Sequence, residues 1–366
     1  MNLSGALPYQ NIKKLIADGC GANGLIENIQ PSSLDLSVGK IIYRLPSVFL
    51  PKHNEKIEDV ALAMGAEPYN FDFPLEINTS YLVKLNEGLS LPPDVYAYSN
   101  PKSSTGRVDL HVAMLSDGTS RFDSAGAKGY KGSLWAFVKP RSFRVKISPG
   151  DTLLQLRFFY SDTRFSENDL NIFYDSCQPL YTTHNEPITR GEIKISDHDG
   201  GLIMTLNLKG ELIGWRSEGS QKFLELSRKS YYKPLDFFTP IYRDNKNYIS
   251  VRRGDFYILH TNEQLRVPPN YAAEIMPVDI RSGEYRSHYA GFIDPGFGYG
   301  KNGEVAGRSI VLELRPFEDD IILRDEQPIC KVIFEKMAST PEIIYGEVGS
   351  NYANQTGPRL SKHFRL

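Results

Sequence analysis

Apolar residues along the chain fall mostly in short runs, and few of these runs have helical spacing. Most are β-branched or aromatic and are bounded by Gly, Pro, Asn or Asp, which is the pattern of strands joined by turns. The clearest runs are 81–85, 134–139, 153–159, 255–260, 309–314 and 331–336. A helix is predicted near the start, where three apolar residues share one face between Pro8 and Gly19. The sequence therefore predicts a mainly β protein with a few short helices.

The same pattern occurs twice. The segment 81–97 matches 257–273 without a gap at an offset of 176 residues, and the identical positions include an Asn-Glu pair and two consecutive prolines. The same offset aligns 153–159 with 329–335, and upstream 34–44 resembles 206–216. Because one offset recurs in two separate places, we infer a tandem duplication. The period is too long for a solenoid repeat, so each copy is predicted to be a whole domain.

The duplication sets the expected domain limits. The first domain is predicted to span 1–185 and the second 190–366, with the polar, irregular stretch 180–200 as the joint. A length of 366 residues is sufficient for two domains with their own cores. Long mixed loops between the strands favour a distorted barrel or a jelly roll over a simple meander.

Composition limits the kinds of binding partner and compartment that are expected. The 42 basic and 44 acidic residues give a net charge of −2, which provides no electrostatic case for nucleic acid or an anionic membrane. The three cysteines are far apart and form neither a disulfide framework nor a C-x-x-C metal pair. No run approaches the ~18 apolar residues that span a bilayer, and the N-terminal segment lacks the apolar core of a signal peptide. We expect a cytoplasmic protein without a nucleic-acid or membrane partner.

Histidine placement adds no metal site. His111, His260 and His288 are isolated, and none pairs with another His or Cys at ligand spacing. Each is therefore interpreted as a core or surface packing residue. His288 lies between the segments 281–286 and 290–296, where it could line the edge of a pocket. The sequence predicts no protein-bound metal.

Two carboxylates in the segment 290–314 have distinctive surroundings. Asp294 lies in a turn rich in Gly and Pro, and Glu313 lies inside the apolar run 310–314. A carboxylate in such a run must be paired, or its pKa must shift, if it is buried. A carboxylate that titrates near neutrality is suited to proton transfer. Taken alone, however, Glu313 is more typical of a solvent-facing position on an alternating strand, and Asp294 suits an ordinary turn.

Four motifs place these carboxylates in context. They are Q-P-S-S-L-D-L at 30–36, R-S-G-E-Y-R at 281–286, A-G-F-I-D-P-G-F at 290–297 followed by V-L-E-L, and Y-A-N-Q-T-G at 352–357. Together they resemble the dCTP deaminases, relatives of the trimeric dUTPases. That family has Q-P-x-S-hydrophobic-D-hydrophobic, R-S-S-x-x-R, I-D-P-G-[WF], V-L-E-[FL] and Y-x-N-Q-x-G in this order. The resemblance covers nearly the whole chain and implies two tandem dUTPase-like domains of distorted β-barrel or jelly-roll (β-clip) fold.

The resemblance implies a hydrolase that converts dCTP to dUTP and ammonia in pyrimidine deoxynucleotide metabolism. Glu313 would act as general base and then general acid, because water must add at C4, N3 must be protonated and ammonia must leave. The zinc cytidine deaminases carry a P-C-x-x-C segment, which this sequence lacks. The expected chemistry therefore uses no zinc, and Mg²⁺ enters only with the nucleotide triphosphate.

The resemblance also assigns substrate-binding residues. Arg281, Ser282 and Arg286 would hold the triphosphate, for which guanidinium groups and a hydroxyl are suited. Asp294 would hold the deoxyribose 3′-hydroxyl. Ala290 matches a position whose backbone contacts the base or the attacking water.

The C-terminal segment 346–366 is polar and basic, and in the family such a tail closes over the bound nucleotide. Tyr352, Asn354 and Gln355 would contact the phosphates. The family has a Lys before the Tyr, where this chain has Asn351, so the tail's other basic residues would have to supply that charge.

The first copy differs from the second in the motifs it keeps. It has K-S-S-T-G-R at 102–107, but its counterpart of the V-L-E-L strand, 132–138, contains no acid, and Phe137 or a neighbour replaces Glu313. The first copy is therefore predicted to be a catalytically degenerate, structural or regulatory domain, and the second to be catalytic. Because sites in the family lie between subunits of a trimer, the first copy could still contribute to phosphate binding across a domain interface. The candidates for this role are Ser103, Ser104 and Arg107.

Other functions stay open from the sequence. A dUTPase, or a bifunctional enzyme that forms dUMP, is one alternative, although the Glu in V-L-E-L and the Y-x-N-Q-x-G tail differ from the dUTPase pattern. A non-catalytic regulator that binds dCTP, dTTP or dUTP is another, and a purely structural trimeric β protein is a third. The expected assembly is a homotrimer of two-domain chains, which would be pseudo-hexameric. The sequence does not decide whether sites form between like or unlike domains.

Overall fold

A computed structural model gives the fold. It describes residues 4–197, 199–279, 285–286, 290–347, 352 and 355–365, with only the backbone of 22, 285 and 286. The chain is mainly β, as the sequence predicts.

Among the described residues there are four α-helices, and all are short. They are α1 (Tyr9–Ala17), α2 (Ile57–Ala63), α3 (Ser103–Gly106) and α4 (Glu167–Ser176), with 3₁₀ turns at Ile26–Asn28 and Pro234–Asp236. The predicted N-terminal helix is confirmed, because α1 begins after Pro8 and Gly19 follows its end with a left-handed φ of 76°. α4 begins with a capping box in which Ser166 and Asp169 satisfy each other's backbone N–H groups.

The strands alternate with turns along the whole chain. The first half contains β1 (Gly21–Ala22), β2 (Leu34–Leu45), β3 (Glu67–Pro68), β4 (Ser80–Ser90), β5 (Tyr96–Pro101), β6 (Leu110–Ser116), β7 (Lys131–Pro140), β8 (Arg144–Lys146) and β9 (Thr152–Phe159). The second half contains β10 (Leu180–Tyr181), β11 (Leu202–Thr205), β12 (Leu212–Ser217), β13 (Phe223–Glu225), β14 (Thr239–Tyr242), β15 (Tyr248–Val251), β16 (Phe256–Leu265), β17 (Tyr271–Pro277), β18 (Tyr285–Arg286), β19 (Phe292–Ile293), β20 (Arg308–Pro316), β21 (Ile321–Arg324) and β22 (Pro328–Lys336).

The strands form barrel-like sheets in each half. In the first half the order is β5-β9-β2-β4-β7-β6, with β1 on β4 and β3 on β2. In the second half one sheet runs β14-β12-β16-β20-β18, with β10 on β16, and another runs β11-β22-β17-β19. The pairs β8–β13 and β15–β21 complete the described sheets. Neighbours that are distant in sequence indicate long crossovers rather than a simple meander.

The two halves repeat one register. Leu82 lies opposite Phe137 between β4 and β7, and Ile258 lies opposite Glu313 between β16 and β20. Both residues of the second pair are shifted by the same 176 positions that the sequence alignment gives. The ladder therefore fixes Phe137, and not a neighbour, as the counterpart of Glu313.

One part of the sequence alignment is wrong. Tyr43 pairs with Leu82 and Trp215 with Ile258, so the ends of 34–44 and 206–216 do correspond. At their beginnings, however, the two segments do not correspond. Leu34 pairs with Leu156 on β9. The residue of β22 that is equivalent to Leu156 pairs with Leu202, whereas the alignment expects a residue after 205 there. The second copy has a longer connection between these two points, which shifts the correspondence by four residues.

Two compact units are distinguished by their internal contacts. Unit 1 contains Met1–Ser161, Ser220–Asp236 and Ser361–Leu366, and unit 2 contains Asp162–Gly219 and Phe237–Leu360. The division after 161 lies earlier than the boundary expected near 185–190. Its physical reason is aromatic packing at α4, where Phe165 and Phe173 contact Tyr271 and Phe334 with ring centroids 4.7–6.0 Å apart.

Candidate active site

Glu313 lies on the face of β20 that is turned away from the core of unit 2. Leu312 and Leu314, its neighbours in sequence, belong to that core. Successive side chains of a strand point to opposite faces, so Glu313 projects from the other face. Its side chain is only 1% exposed, which excludes the solvent-facing alternative.

The neighbouring strands define what surrounds this face. On one side, β16 places Ile258 directly opposite Glu313, and His260 follows two residues later on the same face. On the other side, the backbone of Arg286 in β18 lies opposite Arg315 of β20. The buried Arg315 donates a hydrogen bond to the Gly254 carbonyl oxygen.

Asp294 lies where β19 ends and a tight turn begins. β19 pairs with β17, so this carboxylate belongs to the second sheet of unit 2, and its side chain is 9% exposed. The turn requires Gly296, which has a φ of 90° and whose added Cβ would lie 2.8 Å from the Cβ of Ile344. Ala290, just before β19, is buried as well.

Several residues in the described part of the C-terminal tail are buried. Tyr352 is 8% exposed and Gln355 is 3% exposed. The Gln355 amide donates a 3.1 Å hydrogen bond to the carbonyl oxygen of Ser309, which lies on β20. The tail therefore contacts the strand that carries Glu313, and Gln355 is held in place at that strand.

Several predicted site residues lie outside the described residues. They are Arg281, Ser282 and Asn354, together with His288 and Asn351, and Arg286 is described for its backbone only.

The backbone register nevertheless changes the correspondence of the two arginine motifs. Pro277 and Pro101 occupy equivalent places opposite the last strand of each copy, and Tyr285 occupies the place of Leu110. The connection between these points is one residue shorter in the second copy. Arg286 therefore stands at the backbone position of His111, and not at that of the arginine that ends the K-S-S-T-G-R turn.

In unit 1 that turn is helix α3, and it lies beside a buried ion pair. The Lys102 ammonium bonds to the Asp35 carboxylate and, at 3.1 Å, to the Thr152 hydroxyl. The Ser361 hydroxyl donates a 2.9 Å hydrogen bond to the carbonyl oxygen of Ser104. The predicted candidates of this turn are Ser104 and Arg107, which are buried, and Ser103, which is partly exposed.

Apolar residues replace this ion pair in the second copy. Asp35 pairs with Gln155 and Ile203 with Lys331 at equivalent places, so Ile203 replaces Asp35. The residue after Pro277 is valine where the residue after Pro101 is lysine. The two copies therefore differ in the polar groups that they contain. The second has the acid Glu313, and the first has the polar turn 102–107 together with Asp35.

Packing fills the face of unit 1 that corresponds to the Glu313 face. Phe137 and Trp135 form a separate apolar cluster with Leu82, and helix α2 covers it with Ile57 and Ala61. In the second copy the connection 218–255, all of it described, contains no α-helix. The first copy therefore has no carboxylate at the place of Glu313, and α2 forms an apolar plug over the corresponding face.

Asp123, an acid in a loop of the first copy, has a structural role. Its Oδ1 accepts hydrogen bonds from the Met114 N–H at 2.8 Å and the Ser99 hydroxyl at 2.9 Å. Tyr98 pairs with Ser124 in the first copy, and Glu274 pairs with Phe292 at the equivalent place in the second. Two residues further along the chain, Gly126 therefore stands at the position of Asp294. Asp123 stabilises the turn and is not the equivalent of Asp294.

A glutamate with the same buried hydrogen bonds recurs in the two copies. Glu87 accepts from the Ser37 N–H and hydroxyl at 2.8 and 2.7 Å, and Glu263 accepts from the Thr205 N–H and hydroxyl at 2.7 and 2.6 Å. Burial raises the pKa of both carboxyls, against these hydrogen bonds. Their identity at the 176-residue offset was the available signal. Each carboxylate stabilises the register irregularity of the strand on which it lies, β4 or β16.

Among the described residues, no α-helix has the length and apolar composition needed to cross a membrane. Within the same part of the chain, no three His, Cys, Asp or Glu side chains gather so that they could hold a metal ion.

Two tandem β domains share one register, and of the two equivalent positions 137 and 313 only the second carries a buried acid. These features define a duplicated dUTPase-like protein, and comparisons identify the family. The family model "2'-deoxycytidine 5'-triphosphate deaminase (DCD) N-terminal domain" matches residues 3–162, and its C-terminal counterpart matches 178–364. The crystal structure of 2'-deoxycytidine 5'-triphosphate deaminase from Agrobacterium tumefaciens is similar with a TM-score of 0.83 and 31% identity, covering 93% of this chain and all of that one. The chain belongs to the 2'-deoxycytidine 5'-triphosphate deaminase family.

A relative with a distinct product name is also similar. "dCTP deaminase, dUMP-forming" from Methanosphaera stadtmanae is 28% identical over 152 residues, which are 38% of this chain and 73% of the relative. Family membership supports an enzyme that acts on dCTP.

Proposed function

We propose that the chain hydrolyses dCTP to dUTP and ammonia, with Glu313 as the group that moves the protons. The burial of Glu313 on the non-core face of β20 is the observation that carries the proposal. A buried carboxylate is driven towards its neutral form unless it is compensated, and a group that exchanges one proton readily serves as base and acid in turn.

The proton balance requires one such group. Glu313 takes a proton from water as the water oxygen bonds to C4, and delivers it to N3. It then takes the proton of the new hydroxyl group and passes it to the exocyclic nitrogen, which leaves as ammonia while the C4 carbonyl forms. Water and dCTP give dUTP and ammonia, and Glu313 ends as it began.

The other proposed roles concern binding. Asp294 is proposed to hold the 3′-hydroxyl, and Ala290 to contact the base or water. Gln355 and Tyr352 are proposed to close the tail over the phosphates, which carry Mg²⁺ as part of the substrate. The triphosphate residues proposed are Arg281, Ser282, Arg286 and Asn354, with Ser103, Ser104 and Arg107 from the first copy.

A second product has a specific observation in its favour. The relative whose printed name is dUMP-forming matches part of this chain, so dUTP could be hydrolysed further to dUMP and pyrophosphate in the same site. The same carboxylate would then be able to activate water for attack on the α-phosphate.

The test compares wild type with Glu313→Gln, each incubated with dCTP and Mg²⁺ in the presence of a zinc chelator. Ammonia release by wild type and its loss in the variant, with dCTP binding retained in both, is the expected result. Equal ammonia release by both proteins would refute the role of Glu313. Binding without turnover in wild type would identify a regulator, and pyrophosphate release would identify the dUMP-forming reaction.

The proposed homotrimer is tested separately by light scattering, which distinguishes a mass near three chains from that of one 41.3 kDa chain. A monomeric mass with full activity would exclude an obligatory trimer.

A further inference from the structure

His260 shares the sheet face of Glu313. It precedes an irregularity in β16 and lies opposite Val311, two residues from Glu313 along β20. Such diagonal neighbours are about 7–8 Å apart, so one small molecule can contact both side chains. The His260 side chain is 7% exposed, and its Nδ1 atom has no hydrogen-bond partner in the described part of the chain.

The backbone that follows His260 is held firmly. The ladder register shifts between His260 and Gln264. Across this bulge the Thr261 hydroxyl accepts a 3.0 Å hydrogen bond from the Ile310 N–H and donates to the Glu263 carbonyl oxygen at 2.8 Å. Bulges of this kind re-aim side chains and are common next to active sites. The backbone that carries the imidazole is therefore fixed by the fold and is not part of a loose loop.

An unsatisfied buried nitrogen has a cost. A buried polar atom without a partner destabilises a protein by roughly 1–3 kcal/mol relative to one that is bonded. Burial lowers the pKa of His260 to about 4, with the Thr261 backbone acting in the other direction. The ring is therefore neutral near pH 7, and a neutral ring can keep one nitrogen as an acceptor.

The first copy is an internal control. The residue at the place of His260 is Lys84, whose ammonium lies 5.4 Å from the centre of the Trp135 ring. In that copy Phe137 replaces Glu313. The imidazole and the carboxylate are thus present together in one copy and absent together from the other.

We propose that His260 is a second catalytic residue of the Glu313 site, whose Nδ1 accepts a hydrogen bond from the water that attacks C4. This inference rests on the proposed function. Glu313 removes one proton of that water, and His260 holds the other hydrogen without taking it. The oxygen lone pair is thereby directed at C4, and no proton is added to or lost from the imidazole in the cycle.

The experiment uses three substitutions that separate Nδ1 from Nε2 and from shape. His260→Asn keeps a polar atom close to the position of Nδ1, His260→Gln places one closer to Nε2, and His260→Phe keeps only a ring. We expect kcat for dCTP to fall roughly 10- to 100-fold in the Gln and Phe variants, and by less than about fivefold in the Asn variant, with KM nearly unchanged. Lys84→Met, the matched change in the first copy, should leave kcat at the wild-type value.

Two results would overturn the inference. One is wild-type kcat in His260→Phe, and the other is an equal loss in the Asn and Gln variants, since a purely packing role does not distinguish the two nitrogens. If His260→Phe fails to fold, the comparison of kcat between His260→Asn and His260→Gln still tests the inference. Glu313→Gln separates the two proposals: activity retained there refutes the proposed function, whereas its loss together with full activity of His260→Phe refutes only the role of His260.

Discussion

Acidification is expected to destabilise unit 1 through His363. The segment 361–365 lies beside 230–232, where the His363 carbonyl oxygen accepts hydrogen bonds from the Tyr231 and Tyr232 N–H groups at 2.9 and 3.1 Å. The imidazole is 1% exposed, and its Nδ1 donates to the Arg228 carbonyl oxygen at 2.9 Å. Burial, aided by two lysines at positions 362 and 229, lowers the pKa of His363 from 6.5 to about 4, against a raising effect of the Arg228 carbonyl.

The sign follows from linkage. A histidine whose pKa is lower in the folded state binds protons more readily when unfolded. Its destabilising contribution to the free energy of unfolding is therefore absent well above pH 6.5 and grows as the pH falls towards 4. The full difference corresponds to about 3 kcal/mol, of which about 2 kcal/mol develops between pH 7 and pH 5. This loss is large beside the stability of a typical domain.

The assay is urea unfolding at pH 7 and pH 5 for wild type and His363→Asn. Asparagine can keep a donor near the Nδ1 position and does not titrate, while every other histidine is shared by the two proteins. The variant should therefore lose about 2 kcal/mol less than wild type over this interval. Equal losses in the two proteins would show that His363 is not held neutral by its surroundings, and would refute the reasoning.

Three further predictions concern residues that differ between the two copies and a residue of the C-terminal tail. Phe137→Ala should cost about 3–5 kcal/mol of unfolding free energy, since it empties part of the cluster under α2, and should leave kcat unchanged; a large fall in kcat would contradict the plugged-site interpretation. Lys102→Val should cost about 3–5 kcal/mol in urea unfolding by leaving Asp35 without its cation, and adding Asp35→Ile, the apolar pairing of the second copy, should recover most of this loss. No recovery would mean that the ion pair itself stabilises the fold. Gln355→Ala removes the hydrogen bond to the Ser309 carbonyl and should raise KM for dCTP about tenfold with a smaller change in kcat; an unchanged KM would exclude the tail from substrate binding.

The sequence could predict what depends on local pattern and on repetition. The β class, helix α1 and the equivalence of 81–97 with 257–273 follow from periodicity and from one constant offset. The contrast between Glu313 and an apolar counterpart was also visible, although only the ladder identifies Phe137 as that counterpart. Burial of Glu313 was not predictable from its strand alone, because an alternating strand is compatible with a solvent-facing acid.

The remaining features depend on pairing between distant segments. The connection before β18 is one residue shorter in the second copy and the one before β12 is longer, so short motifs such as 281–286 and 34–36 align with the wrong partners by eye. The boundary at 161 is set by aromatic contacts of α4, which no local signal announces. His260 was interpreted as a packing residue, since its unpartnered nitrogen is visible only once the fold is known.

The plug over Phe137 makes the divergence of the two copies hard to reverse. Restoring a glutamate at 137 would place a carboxylate among Trp135, Leu82 and the buried face of α2, where a charge without a partner is strongly disfavoured. Activity could return to this copy only if α2 also moved away, and each of the two changes made alone would be harmful. Packing over Phe137, in addition to the missing acid, therefore separates the first domain from the chemistry proposed for the second.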